Sequence, residues 1–235
     1  MHTTISSRLA GVQTRLERAA LGADRDPSGI TLIAVSKTQP SLPLSEALSA
    51  GVLHLGENRV QEAASKKPDV DGAAQWHLIG PLQRNKVKLA LETFDVIHTL
   101  DRPALADRLQ MLLGEHWPGR RLPVLLEINV GHEVQKAGVL PHEAEDLARH
   151  VLADCPSVQL DGLMAIPPFG LDPEASRPYF KALTGLQKEL GQRLGLALPS
   201  LSMGMSHDFE IAIEEGATMV RVGTAIFGKR LIKEI

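Results

Sequence analysis

The chain has 235 residues, 43% hydrophobic and 23% charged, enough to bury a substantial core in one large domain or two small ones. Its 25 Lys+Arg against 28 Asp+Glu give a formal net charge of −3, which excludes the basic footprint of a nucleic-acid binder. One cysteine, Cys155, excludes an internal disulfide and offers no metal-site spacing, and nine scattered histidines offer no close ligand pairs.

The opening segment "MHTTISSRLAGVQTRLERAA" lacks the apolar core of a signal peptide. Its Ile5, Leu9, Val12, Leu16, Ala19 and Ala20 fall on one helical face. "ADRDPSG" breaks that helix with Pro27 and Gly29. From there strands and helices alternate. "ITLIAVSK" reads as a strand, "LPLSEALSAG" as a helix, "VLHLGE" as a strand and "NRVQEAASKK" as a helix. The strands "AQWHLIG", "FDVIHTL", "LPVLLEINV" and "VQLDGLMAI" follow, each with a helical segment after it. "LPSLSMG" leads into the helix "SHDFEIAIEEG", and "TMVRVGTAIFG" gives a last strand and a short tail.

Strands alternating with helices predict a parallel sheet. About eight such units in about 250 residues fit a closed (β/α)8 barrel behind an extra N-terminal helix. The whole of 1–235 reads as a single domain, because no linker or composition shift divides it. A doubly wound open sheet is the other option, but no Gly-rich dinucleotide fingerprint follows any strand. No apolar stretch is long enough to cross a bilayer, so a cytoplasmic protein is expected.

In a barrel the C-terminal strand ends form the active face. That rim gathers Lys37, Glu57, Asn58, His77, His98, Asn129, Met164, Ser202 and Arg221. Lys37 is either a solvated strand end or a functional amine able to attack an aldehyde. The loop of "SMGMSHDFEIAIEEG", where Ser206 or Asp208 is placed to cap the next helix, suits a phosphate. So do Gly223 and Thr224 after the eighth strand; the other reading of both segments is two ordinary turns. Arg221, between Val220 and Val222, needs an acceptor if it points inward. It is either half of a structural ion pair or the partner of a pyridine nitrogen. A lysine, phosphate donors and a ring-nitrogen partner together suggest pyridoxal phosphate. An always-charged Arg favours an unprotonated ring nitrogen and weakens the electron sink.

The motifs "AVSKT", "HLGENRVQEA", "WHLIGPLQRNK", "IHTLDR", "EINVGHEVQKAG", "LDGLMAIPP" and "SMGMSHDFEIAIEEGATMVRVGTAIFG" occur in this order along nearly the whole chain. In this the sequence resembles the pyridoxal phosphate homeostasis protein family, also called the YggS/PROSC family. The resemblance implies the barrel of the alanine racemase N-terminal domain. It implies a Schiff-base lysine at Lys37, phosphate contacts at Ser202, Gly223 and Thr224, and a ring-nitrogen partner at Arg221. Met203 and Gly204 would help through their backbone. Asn58 is either a contact on the cofactor's hydroxyl side or a helix cap. Met164 and His77 either line the pocket or pack the barrel, and His98 reads as structural. One departure is visible: the family commonly has "GENYVQE", and Arg59 stands here in place of the tyrosine. Lys136 in "EVQKAG" matches a lysine common in the family and reads as a secondary cofactor site or as a solvated loop lysine.

The resemblance implies intracellular pyridoxal phosphate homeostasis, with apo-enzymes as recipients, and a weak amino-acid racemase is the alternative. A two-base racemase needs an acid/base on each face of the substrate carbon. The chain ends just after the barrel and has one tyrosine, Tyr179, in the helix after strand six. Without a racemase's second domain, a monomer that holds its cofactor without robust turnover is expected.

Overall fold

The computed structural model describes residues 4–168 and 170–228. It begins with helix α1 (Ile5–Gly22), capped by Thr4, whose hydroxyl oxygen accepts from Ser7 N–H at 3.1 Å. The six apolar residues spaced along α1 form its buried face.

Eight strand–helix units follow: β1 (Thr31–Val35), α2 (Ser41–Ser49), β2 (His54–Glu57), α3 (Val60–Lys66), β3 (Gln75–Leu78), α4 (Val87–Thr93), β4 (Val96–Leu100), α5 (Pro103–His116), β5 (Leu122–Glu127), α6 (Ala144–Asp154), β6 (Val158–Met164), α7 (Arg177–Leu194), β7 (Ser200–Met205), α8 (Phe209–Glu214), β8 (Met219–Val222) and α9 (Thr224–Phe227). Every strand pairs in parallel with its sequence neighbours, and β8 pairs with β1, so the sheet closes into a (β/α)8 barrel. Helices cover its outer face, which is why the strands are apolar on both sides; all five residues of β4 are buried. Closure leaves no edge strand exposed.

One irregularity matters for function. From Ser202↔Met219 to Met205↔Arg221, β7 advances three residues while β8 advances two. The extra residue is a β-bulge. Gly204 lies in it at φ +86°, and a Cβ there would sit 2.5 Å from Cβ of Ala212 on α8. Glycine is therefore required both by the backbone and by the packing of the bulge on α8.

The last segment differs from the expected strand and tail. β8 stops at Val222, and Thr224–Phe227 form one helical turn, with the Ile226 and Phe227 amides both donating to the Gly223 carbonyl at 2.9 Å. Residues 229–235 of that expected tail lie outside the described residues. Helix α1 packs on α8 and α9, and Arg8 Nε donates to the Ile226 carbonyl at 2.6 Å. The N-terminal helix thus props the turn that ends the barrel.

Candidate functional site

A cleft of about 410 Å³ opens at the C-terminal ends of the strands. Lys37 enters it after β1 and Asn58 after β2. Met205, Ser206 and His207 enter from the end of β7, and Arg221, Gly223 and Thr224 from the end of β8. Val35, Ile79 and Ile166 supply apolar wall.

Lys37 is half-buried and occupies a tight turn, closed by the Gln39 amide donating to the Ser36 carbonyl at 3.0 Å. Thr38, next to it, has φ 65°, a left-handed conformation that a β-branched residue rarely adopts. Asn58 lies against the backbone of the following loop so closely that a Cβ on Gly80 would sit 2.3 Å from the Asn58 carbonyl oxygen. Arg59, not Asn58, occupies the cap position of α3; it makes no side-chain cap and is exposed.

Arg221 is 3% exposed, and the acceptors its burial demands are present. Its Nη1 donates to Ser202 Oγ at 2.6 Å and its Nη2 to the Ala165 carbonyl at 2.9 Å. Burial pulls its pKa down to about 10, against the pull of Asp208 and Glu127, so it stays charged at neutral pH. The influence is mutual: burial and Asp101 push the Glu127 carboxyl up to about 7, although Arg221 opposes this.

Behind Arg221 a chain of polar side chains runs through the barrel. Ser202 Oγ is 3.0 Å from His98 Nδ1, His98 Nε2 is 2.9 Å from His77 Nδ1, and His77 Nε2 is 3.1 Å from His54 Nδ1. Ser202 Oγ already accepts from Arg221, so its own proton is best placed on His98 Nδ1. Each following histidine then carries its proton on Nε2 and donates to the next ring. Burial holds the rings neutral: it takes His77 down to about 3, helped by His54, and His98 well below its ordinary value, helped by His77 and Arg221.

At the mouth, Ser206 Oγ accepts from the Gly223 amide at 3.2 Å and joins the loops after β7 and β8. The Asp208 carboxylate turns back to the Met205 amide at 2.7 Å and the Ser176 hydroxyl at 2.8 Å, and makes no side-chain cap on α8.

Of the residues singled out in the sequence, Lys37, Asn58, Arg221, Gly223 and Thr224 share this cleft. Ser202 lies one layer below it, on Arg221 and His98. Met203 is in the main core, and Met164 forms a small buried cluster with Val96 and Leu125. Gly204 is spent on the bulge. His77 and His98 are interior links of the histidine chain, and Glu57 is fully buried beside Ser36 and Lys66. Asn129 closes its own loop, its Nδ2 donating to the Glu133 carbonyl at 2.9 Å. Lys136 is paired with Glu133 and donates to the Pro167 carbonyl at 3.1 Å. Tyr179 packs against the core. Ser206, read in the sequence as a candidate helix cap within the phosphate-suited loop, is a lining hydroxyl of the cleft just past the end of β7.

The barrel and the cleft at its strand ends define the class, for the alanine racemase N-terminal domain family matches residues 23–230. The chain is 45% identical over 224 residues to a pyridoxal phosphate homeostasis protein of Aquifex aeolicus, covering 95% of this chain and 97% of that protein. It is 43% identical to the same-named protein of Pseudomonas aeruginosa, over 97% of this chain and 96% of that one. PipY of Synechococcus elongatus, solved with pyridoxal phosphate bound, superposes with a TM-score of 0.82 at 38% identity, covering 96% of this chain and 100% of that one. The chain belongs to the family of pyridoxal phosphate homeostasis proteins. Alanine racemase from Corynebacterium glutamicum shares the fold, with a TM-score of 0.65 at 18% identity over 94% of this chain and 61% of that one.

Proposed function

We propose that this chain holds pyridoxal phosphate covalently on Lys37 and serves intracellular vitamin B6 homeostasis. The observation that carries the reading is the convergence in one cleft of a primary amine, a buried guanidinium and a hydroxyl-and-amide lip. That donor set fits the cofactor group by group. When bound, the cofactor supplies an aldehyde that condenses with an amine with loss of water, a ring nitrogen that accepts a hydrogen bond, and a phosphate.

Lys37 provides the amine. Arg221 has five N–H donors, and the two bonds to Ser202 and Ala165 leave donors to face the ring nitrogen. Ser206, Gly223 and Thr224 receive the phosphate at the mouth. Asn58 stands on the hydroxyl side of the ring. Ser202 acts through Arg221, while Met203 and Gly204 act through the bulge that presents Met205 and Ser206. Met164 contributes barrel packing.

A fixed cation at the ring nitrogen cannot hand it a proton, which leaves the electron sink weak. This argues against broad transaminase or decarboxylase chemistry. The chain's one tyrosine, packed on the core by α7, does not line the cleft as a second base would. We place the protein in the cytoplasm as a single-domain monomer that passes cofactor to apo-enzymes. In support, no helix among the described residues is long and apolar enough to cross a membrane. Of the exposed large apolar side chains, Leu21, Leu42, Met111 and Leu152 lie on α1, α2, α5 and α6, and Leu53, Val134, Ile166 and Leu171 in loops, so no one helix or strand carries them together.

Titration of purified protein with pyridoxal phosphate tests the reading. Wild type should develop a visible absorbance band that Lys37→Ala lacks, with no saturable racemisation of alanine. Protein that stays colourless refutes the binding role; robust racemisation abolished by Lys37→Ala refutes the carrier role.

A further inference from the structure

The turn that carries Lys37 is gripped from outside the cleft. Lys66, at the end of α3, is 8% exposed, and its Nζ lies among four oxygens. It donates to the Ser36 carbonyl at 2.9 Å and to the Gln39 carbonyl at 3.2 Å, the residues on either side of Lys37 and Thr38. It also meets Glu57 Oε1 at 2.5 Å and Glu62 Oε1 at 3.1 Å. Glu57 Oε1 in turn accepts from the Ser36 hydroxyl at 2.5 Å, and Glu62 Oε1 accepts from the Thr38 amide at 2.5 Å. Ser36, Thr38 and Gln39 are thus all tied by backbone or side chain to this one cluster.

A buried cation is costly unless its charge and donors are satisfied. Here two carboxylates answer the charge and two carbonyls of the lysine turn take the remaining donors, so the turn and the cluster hold each other in place. The constraint also has something to oppose. Thr38 at φ 65° is a β-branched residue in a conformation that glycine or asparagine would adopt with less strain, and such strain persists only where surrounding bonds over-determine it.

We propose that Lys66 and Glu62 are positioning residues for Lys37: they lock the strained Ser36–Gln39 turn so that the Lys37 amine is presented to the cleft before any cofactor arrives. The proposal rests on the reading of Lys37 as the cofactor lysine, and it adds residues outside the cleft to the binding machinery.

The test has two arms. In cofactor-free protein, hydrogen exchange should show the Thr38 and Gln39 amides protected, and that protection should fall at least about tenfold in Lys66→Met and in Glu62→Ala. In the second arm each protein is mixed with pyridoxal phosphate, reduced with borohydride at timed intervals and digested. The rate of label appearing on the Lys37 peptide should drop at least about tenfold in both variants, and Thr38→Gly added to either should restore much of it by relieving the strain. Should Lys66→Met fail to fold, Glu62→Ala carries the test, since it leaves the Lys66–Glu57 pair intact. Wild-type protection and wild-type labelling rates in folded Glu62→Ala overturn the proposal. If wild type shows the protected turn but no label on Lys37, the cofactor reading fails while the clamp stands.

Discussion

A charge inside a barrel must be answered by named partners, and Arg221 is answered by Ser202 and the Ala165 carbonyl. Ser202→Ala removes an acceptor from a buried guanidinium and a donor from His98 at one stroke. It should destabilise the protein by about 1–3 kcal/mol in urea unfolding and move the absorbance maximum of cofactor-loaded protein, because Arg221 loses its orientation. The histidines behind it give the fold an acid limit. His77 titrates near 3 when folded against an ordinary 6.5, so the folded state binds fewer protons. Its contribution is complete above about pH 6.5 and is lost as pH falls from there toward 3, at up to about 1.4 kcal/mol per pH unit. His98 shifts in the same direction. Glu127, raised from 4.5 to about 7, has the opposite sign: its contribution is present below 4.5 and fades as pH rises through 7. Urea unfolding between pH 4 and 6.5 should therefore show a shallower pH dependence in His77→Gln than in wild type. An unchanged slope would mean that the ring is not held neutral in the barrel.

Elements decide which residues reach the cleft. Lys37 and Arg221 were legible in the sequence because a charge interrupting an apolar strand needs a reason, and the strand count placed both at one rim. Asn58, Gly223 and Thr224 were legible by their places just after β2 and β8. Ser202, implied as a phosphate contact, bonds Arg221 and His98 beneath the cleft, while Ser206, expected as a candidate helix cap in the phosphate-suited loop, lines it. The grip of Lys66 was hidden: a lysine on a helix end reads as solvated until the β1 turn is seen to cover it. Gly204→Ala tests the bulge. The new methyl group must meet Ala212 and hold a positive φ, which should cost about 2–5 kcal/mol of stability and lower cofactor retention by displacing Ser206. Full stability would mean that the bulge tolerates a side chain. Gly80→Ala acts on the other wall, where its Cβ would push on the Asn58 carbonyl. It should weaken cofactor affinity without abolishing the link to Lys37, as measured by equilibrium dialysis; wild-type affinity would remove Asn58 from the site.

At the scale of the whole molecule, the fold separates two tasks. The closed barrel, sealed by the β1–β8 pairing and propped by α1 against α8 and α9, supplies a rigid frame. The cleft at its rim is lined in part by exposed Ile166, His207 and Thr224, while the buried Arg221 is held by the frame itself. This arrangement suits the proposed function, in which Lys37 is the proposed point of attachment for a reactive aldehyde. The most direct measurement is borohydride reduction of cofactor-loaded wild type followed by peptide mapping of every lysine. The account predicts a single dominant adduct on Lys37, absent in Lys37→Ala. A dominant adduct on Lys136 or any other lysine, with Lys37 unmodified, would contradict it.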